Sequence, residues 1–126
     1  MYSRKPRKQH KRLYLAPLHQ RRKLLTARLS TELAEKHGIR NITVRKGDTV
    51  LITRGSFRDS EGLVQDVDTR GLRLQIENIT IDKVDGSAVP FPIPASNVMI
   101  TKLKLDKDRQ AIIDRKKAAQ QEKPTE

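Results

Sequence analysis

Val44-Arg-Lys-Gly-Asp-Thr-Val-Leu-Ile-Thr-Arg-Gly-Ser-Phe-Arg-Asp-Ser-Glu-Gly-Leu-Val-Gln-Asp-Val-Asp68 holds three of the six glycines in the chain, Gly47, Gly55 and Gly62. Short β-branched runs separate them. Thr49-Val50-Leu51-Ile52-Thr53 is bounded by turn formers, which predicts a strand. Arg54 to Glu61 is polar and predicts a loop, and Leu63 to Val67 predicts a second strand. Glycine suits the bends between them because no Cβ penalises a positive φ. The pattern is a hairpin with a basic, displayed tip.

Outward from this stretch, extended signals continue. Leu72-Arg-Leu-Gln-Ile-Glu77 alternates apolar and polar residues, as a half-buried strand does. Asn78 to Val84 stays extended, and Asp85-Gly86 predicts a tight hairpin turn. Pro90, Pro92 and Pro94 exclude a central strand, since each removes a ladder donor. That leaves Val89, Phe91 and Ile93 to pack from an edge or loop, before a last strand over Val98 to Leu103. Five short strands with tight turns predict a mainly β fold, a small antiparallel barrel.

Before this body the chain is different. Met1 to Leu13 is cation-rich with almost no apolar residues, and alone it cannot bury enough surface to order itself. Ala16 to Leu29 predicts a helix, with Pro17 in its first turn and Leu18, Leu25 and Leu29 as a narrow stripe. Ser30 is an N-cap signal for a short helix from Thr31 to His37, with Gly38 ending it. After the body, Asp106 to Gln121 predicts a charged surface helix that orders on a partner if at all, because Ile112 and Ile113 are its only bulky apolar residues.

Charge separates these parts. Residues 1–46 hold 14 Lys and Arg against 2 Asp and Glu, residues 47–101 hold 5 against 8, and residues 102–126 hold 8 against 5. The excess of +12 therefore lies ahead of a mildly acidic body. This is the signature of a compact domain carrying a polyanion-binding arm. A membrane surface is the weaker reading, because no broad apolar face accompanies the charge. No apolar run approaches the roughly 18 residues of a span, so no membrane insertion is expected. Absence of cysteine excludes disulfides and thiolate metal sites.

Catalysis is not indicated. His10, His19 and His37 are scattered, with no acidic cluster spaced for a metal. His19, beside Arg21 and Arg22, reads as an RNA contact or a helix-surface residue. Asp66 and Asp68 read as solvated strand carboxylates. The glycines match neither the Walker nor the dinucleotide spacing. Neither enzyme activity nor a cofactor is expected.

Val44-Arg-Lys-Gly-Asp-Thr-Val50, Gly55 and Gly62-Leu-Val64 together resemble the KOW motif of SH3-like barrels in ribosomal proteins and transcription elongation factors. The flanks narrow the resemblance. Arg12-Leu-Tyr-Leu-Ala-Pro-Leu-His-Gln-Arg-Arg-Lys23, Ala27-Arg-Leu-Ser30, Val89-Pro-Phe-Pro-Ile93 and Ser96-Asn-Val-Met-Ile-Thr-Lys-Leu103 resemble one family. It is the KOW-domain protein of the large ribosomal subunit, universal family twenty-four, of the archaeal and eukaryotic type. The resemblance covers roughly residues 4 to 105. Two departures stand out: Arg58-Asp59 where the family usually has Lys-Gly, and Pro94-Ala95 where a His-Pro pair is common.

The resemblance implies a structural, cytoplasmic ribosomal protein that binds large-subunit rRNA near its 5′ end, acts early in assembly, and lies beside the polypeptide exit tunnel. It implies a basic N-terminal extension over 1–43, a barrel over 44–103 and a charged C-terminal tail over 104–126. Neighbouring ribosomal proteins are implied partners. Targeting factors or a translocon are a further class, with the Arg54–Glu61 loop as their sequence hook. The competing reading is a KOW module of an elongation factor, which normally sits in a longer chain. Candidate rRNA contacts are Arg4, Lys5, Arg7, Lys8, Lys11, Arg12, His19, Arg21, Arg22, Lys23, Arg28, Arg45, Lys46, Arg54 and Arg58.

Overall fold

A computed structural model of the protein describes residues 3–121. Helix α1 spans Pro6–Leu15 and α2 spans Leu18–Arg21, followed by a 3-10 turn at Arg22–Leu24. Strand β1 (Thr26–Leu29), helix α3 (Thr31–His37) and strand β2 (Asn41–Thr43) come next. Then follow β3 (Thr49–Ile52), β4 (Glu61–Asp68), β5 (Arg73–Ile76), β6 (Thr80–Asp82), β7 (Ala88–Pro90) and β8 (Val98–Lys102). Helix α4 (Lys107–Gln121) ends the described chain.

Six strands form one sheet in the order β2-β1-β8-β3-β4-β5, and β6 pairs with β7 in a separate ribbon. The pairings are antiparallel except β1 with β8, where Arg28 stands opposite Met99 and Leu29 opposite Ile100. Register shifts at Thr49/Val50 and Val64/Asp66 are bulge-type irregularities, which bend a sheet and increase its twist. The bridge between Leu74 and Ile93 draws the proline-rich segment against β5. The result is a small, mainly β, barrel-like domain around one aliphatic core.

Strand patterns explain that core. In β3 and β8 every second side chain points inward, so Val50, Ile52, Val98 and Ile100 are buried. Leu74 and Ile76 do the same from β5. The Asp85-Gly86 turn joins β6 to β7 as the sequence predicts, with Lys83 N–H donating to the Ser87 carbonyl. Phe91 packs on Phe57 with ring centroids 5.1 Å apart, and Ile93 is buried.

The helix predicted over Ala16 to Leu29 is not continuous. Leu25 leaves helical geometry at φ −89°, ψ 43°, and Thr26–Leu29 is a strand. Leu25, Ala27 and Leu29 enter the core, whereas Leu18 stays half exposed. The slot between β2 and β8 supplies pairing that the seven-and-four spacing does not anticipate; tertiary pairing overrides a weak helical stripe here. Strands β1 and β2 thus precede residue 44 and still belong to the sheet. The short helix α3 forms as expected, with Ser30 Oγ accepting from Leu33 N–H and Gly38 in the left-handed region.

Two further expectations change. Composition predicts that Met1 to Leu13 cannot order alone, yet its described part begins α1, a helix with Pro6 in its first turn and no buried residue. Composition also predicts a charged C-terminal surface segment that orders on a partner, if at all. Instead α4 inserts Ile113 and Arg109 into the body, both 1% exposed.

The glycines divide by cause. Gly47 and Gly55 lie at φ +98° and +101°, the region that favours glycine. Gly62 does not. A Cβ there would lie 2.7 Å from Ile76 Cγ2 and 2.9 Å from the Glu77 carbonyl oxygen, so glycine lets β4 approach β5.

Candidate nucleic-acid interface

The interface begins with α1. Lys5 caps it, and Arg7, Lys8, Lys11 and Arg12 lie on it; all five are exposed, as are Arg4 and His19. No residue of α1 is buried, and polar contacts tie its C-terminal end to the body. Arg21 supplies that attachment. Its Nη2 donates to the carbonyls of Leu13 and Tyr14 at 3.0 and 2.9 Å, and its Nε donates to Ala16 at 3.2 Å. Its Nη1 reaches the Arg70 carbonyl in the β4–β5 turn at 2.7 Å. A cation at the carbonyl end of a helix is electrostatically favoured. Arg21 therefore ties α1 to the body, and its guanidinium is already engaged with carbonyls.

Between α1 and the following turn lies a groove of about 520 Å³ lined by Lys8, Gln9, Arg12, Leu13, Gln20 and Leu24, among others. Arg28, the exposed residue between buried Ala27 and Leu29, lines a second groove with Arg40, Asn41 and Ser96. Arg22, Lys23 and Arg45 meet around a third, of about 190 Å³, whose wall includes Thr43, Arg109 and Ile112. Arg54 lies at the hairpin tip beside Phe57, Phe91 and Pro92. Arg58 and Lys46 are exposed. The fold thus gathers the predicted cations into several neighbourhoods, and it adds Arg40, which the charge pattern alone does not single out.

Asp59 shapes the tip of the strand–loop–strand hairpin. Asp59 adopts φ +68°, a conformation that Gly takes readily and that Asp tolerates better than most residues. Its N–H donates to the Ile52 carbonyl at 2.8 Å, which closes the loop.

A buried ion pair fixes the other end of the surface. Asp48, fully buried, accepts from both terminal nitrogens of Arg109, with Nη2–Oδ2 at 2.6 Å. The backbone N–H groups of Arg45 and Lys104 each donate to the same carboxylate at 3.0 Å. Arg109 also donates to the Lys104 and Thr43 carbonyls. Only its Nε lacks a partner among the described residues. A buried N–H left in that state costs roughly 1–3 kcal/mol. Nothing in the sequence marks Arg109 as special, because it looks like any other cation in a charged helix.

Three titrating groups mark the surroundings. Burial, then the neighbouring charges of Lys36 and Lys117, hold His37 below its ordinary pKa. Burial lowers Lys116, whose Nζ donates to the Asn41 carbonyl at 3.1 Å. The Ser87 N–H and hydroxyl lower Asp85 in its turn. None is grouped for catalysis, and among the described residues no cluster of three or more His, Asp or Glu could hold a metal. No helix among the described residues is long and apolar enough to cross a membrane.

The fold and site together are those of a small barrel-like domain with exposed cations on an N-terminal helical arm. Residues 3–116 match the family described as ribosomal proteins L26 eukaryotic, L24P archaeal, and the chain belongs to that family. It is similar to the large ribosomal subunit protein uL24 of Saccharolobus solfataricus, at 54% identity over 110 residues, 87% of this chain and 92% of that one. It is also similar to the protein of the same name from Korarchaeum cryptofilum, at 48% identity over 115 residues, 90% of this chain and 88% of that one. A structural role in the large ribosomal subunit follows, and the elongation-factor alternative is displaced.

Proposed function

We propose that the chain binds large-subunit rRNA near its 5′ end, enters the subunit early in assembly, and sits beside the polypeptide exit tunnel. The observation that carries the rRNA reading is the distribution of cations. Residues 1–46 hold 14 of the 27 Lys and Arg with 2 acidic residues; 12 of these side chains are exposed, half of them on α1 and the Arg22–Leu24 turn. Such an array neutralises phosphates and releases their counterions on binding, a contribution that makes affinity fall steeply with salt. The deep groove of A-form RNA excludes side-chain readout, so selection comes from shape and from single-stranded elements. The barrel orients, Arg21 holds the arm to it, and the arm grips.

The position on rRNA, the assembly timing and the exit-tunnel setting rest on the resemblance of the KOW stretch and its flanks. The Arg54–Glu61 loop, carrying Arg54 and Arg58, either adds a phosphate contact or offers a surface to targeting factors or a translocon; neighbouring ribosomal proteins complete the partners. Filter binding of the full chain to separate 5′ and 3′ portions of large-subunit rRNA at moderate salt tests the site. Preference for the 5′ portion by at least about tenfold is expected, well below the roughly 10³–10⁷ by which specific binding typically exceeds non-specific. Equal binding to both portions would remove the site assignment.

A further inference from the structure

The pocket bounded by Arg22, Lys23, Thr43, Arg45, Arg109 and Ile112 brings three chain segments far apart in sequence to one place. Its volume of about 190 Å³ equals that of roughly six liquid waters, enough for a phosphate group with part of its hydration shell. Four cations line it. Two carboxylates balance part of that charge: Asp48 on Arg109, and Asp106 at 3.4 Å from Arg45. Arg22 and Lys23 make no side-chain hydrogen bond or ion pair among the described residues, and both are exposed. The wall also contains the buried Arg109. Surplus positive charge, two of whose bearers have no partner among the described residues, suits an oxygen-rich anion.

We propose that this pocket is a phosphate-binding site whose occupant on RNA is a single backbone phosphodiester, held by Arg22, Lys23 and Arg45 over the Arg109 guanidinium. The RNA occupant rests on the rRNA-binding reading above; the anion site itself does not. Arg109 belongs to α4 and Arg22 and Lys23 to the turn before β1, so the phosphate joins the C-terminal helix to the N-terminal segment. The site gives α4 a part in binding that its own composition does not announce.

The test uses the full chain and two charge-matched double variants, Arg22→Gln/Lys23→Gln in the pocket and Lys83→Gln/Lys102→Gln at exposed positions outside it. Inorganic phosphate is titrated against chloride at constant ionic strength, and backbone amide shifts are followed. Saturable shifts at Arg22, Lys23, Thr43, Arg45 and Arg109 are expected in the wild type and the Lys83/Lys102 variant, and not in the pocket variant. Shifts that never saturate, or that persist in the pocket variant, overturn the site. In a second arm, 5′ rRNA binding is titrated with salt. Relative to the Lys83/Lys102 variant, the pocket variant is expected to bind about tenfold more weakly. Its slope of log affinity against log salt is expected to be shallower by about 0.7 to 0.9 for each phosphate that is no longer neutralised. Equal RNA binding by the two variants overturns the RNA occupant. Saturable phosphate binding with no RNA binding by any of the three proteins supports the anion site and removes the rRNA reading instead.

Discussion

Arg109 of α4 places its Nη2 2.6 Å from Oδ2 of Asp48, the residue that follows Gly47. Both side chains are at most 1% exposed. The contact anchors the C-terminal helix to the stretch that defines the barrel, across 61 residues of sequence. Breaking a buried pair by removing one partner leaves an uncompensated charge, typically at a cost of about 3–5 kcal/mol. Arg109→Ala is therefore expected to lower the denaturant midpoint by an amount equivalent to about 3 kcal/mol or more, with a loss of α4 helicity. A change below about 1 kcal/mol in urea unfolding would show that the pair does not hold the helix. By the same logic a fragment of residues 47–103 is expected to fold poorly. It lacks Arg109 and the partner strand β1, although its sequence alone reads as a self-sufficient barrel.

Asp59 gives a prediction of the opposite sign. A non-glycine residue in the left-handed region carries a penalty of roughly 1–2 kcal/mol, smaller for Asp than for most residues. Asp59→Gly relieves it at φ +68° and is expected to leave stability unchanged or raise it by up to about 1 kcal/mol. Asp59→Val, β-branched in the same conformation, is expected to destabilise by at least about 1 kcal/mol. Thermal unfolding of both variants checks the pair, and equal midpoints would contradict the strained-loop account.

His37 gives a pH dependence. Burial and the charges of Lys36 and Lys117 lower its pKa in the folded chain, so the unfolded chain binds the proton more readily. Stability then rises with pH over this range. The contribution of His37 is fully present above its unfolded pKa of about 6.5 and is lost as pH falls through its lower folded value. Lys117→Gln is expected to move the folded pKa back upward in part, because desolvation, the larger cause, remains. An NMR titration of the imidazole reads this directly; an unchanged pKa would show that Lys117 does not act on His37.

How much of the fold is legible in the sequence follows from particular residues. The β3–β4 hairpin, the alternation in β5 and the Asp85-Gly86 turn can be read because local chemistry alone determines them. Strand β1 cannot. Leu25 and Leu29 satisfy a helical spacing and a strand alternation equally well in so short a run, and the pairing with β8 that decides between them is remote in sequence. The candidate cations are visible as charge, but their division of labour is not: Arg21 holds carbonyls while its neighbours Arg22 and Lys23 stay open. Arg109 is hidden for the same reason, since only the fold reveals that its partner is a buried carboxylate.

The central claim is that the exposed cations before the barrel supply most of the grip on rRNA. Its most direct measurement is the salt dependence of 5′ rRNA binding by the full chain and by a Lys5→Gln/Arg7→Gln/Lys8→Gln/Lys11→Gln variant. These four exposed residues cap or lie on α1, which buries nothing, so the fold is expected to survive their replacement. The account predicts a weaker complex and a slope of log affinity against log salt shallower by up to about 3.6, near 0.7–0.9 for each phosphate that the variant leaves unneutralised. An unchanged slope and affinity, with α1 intact by circular dichroism, would contradict it.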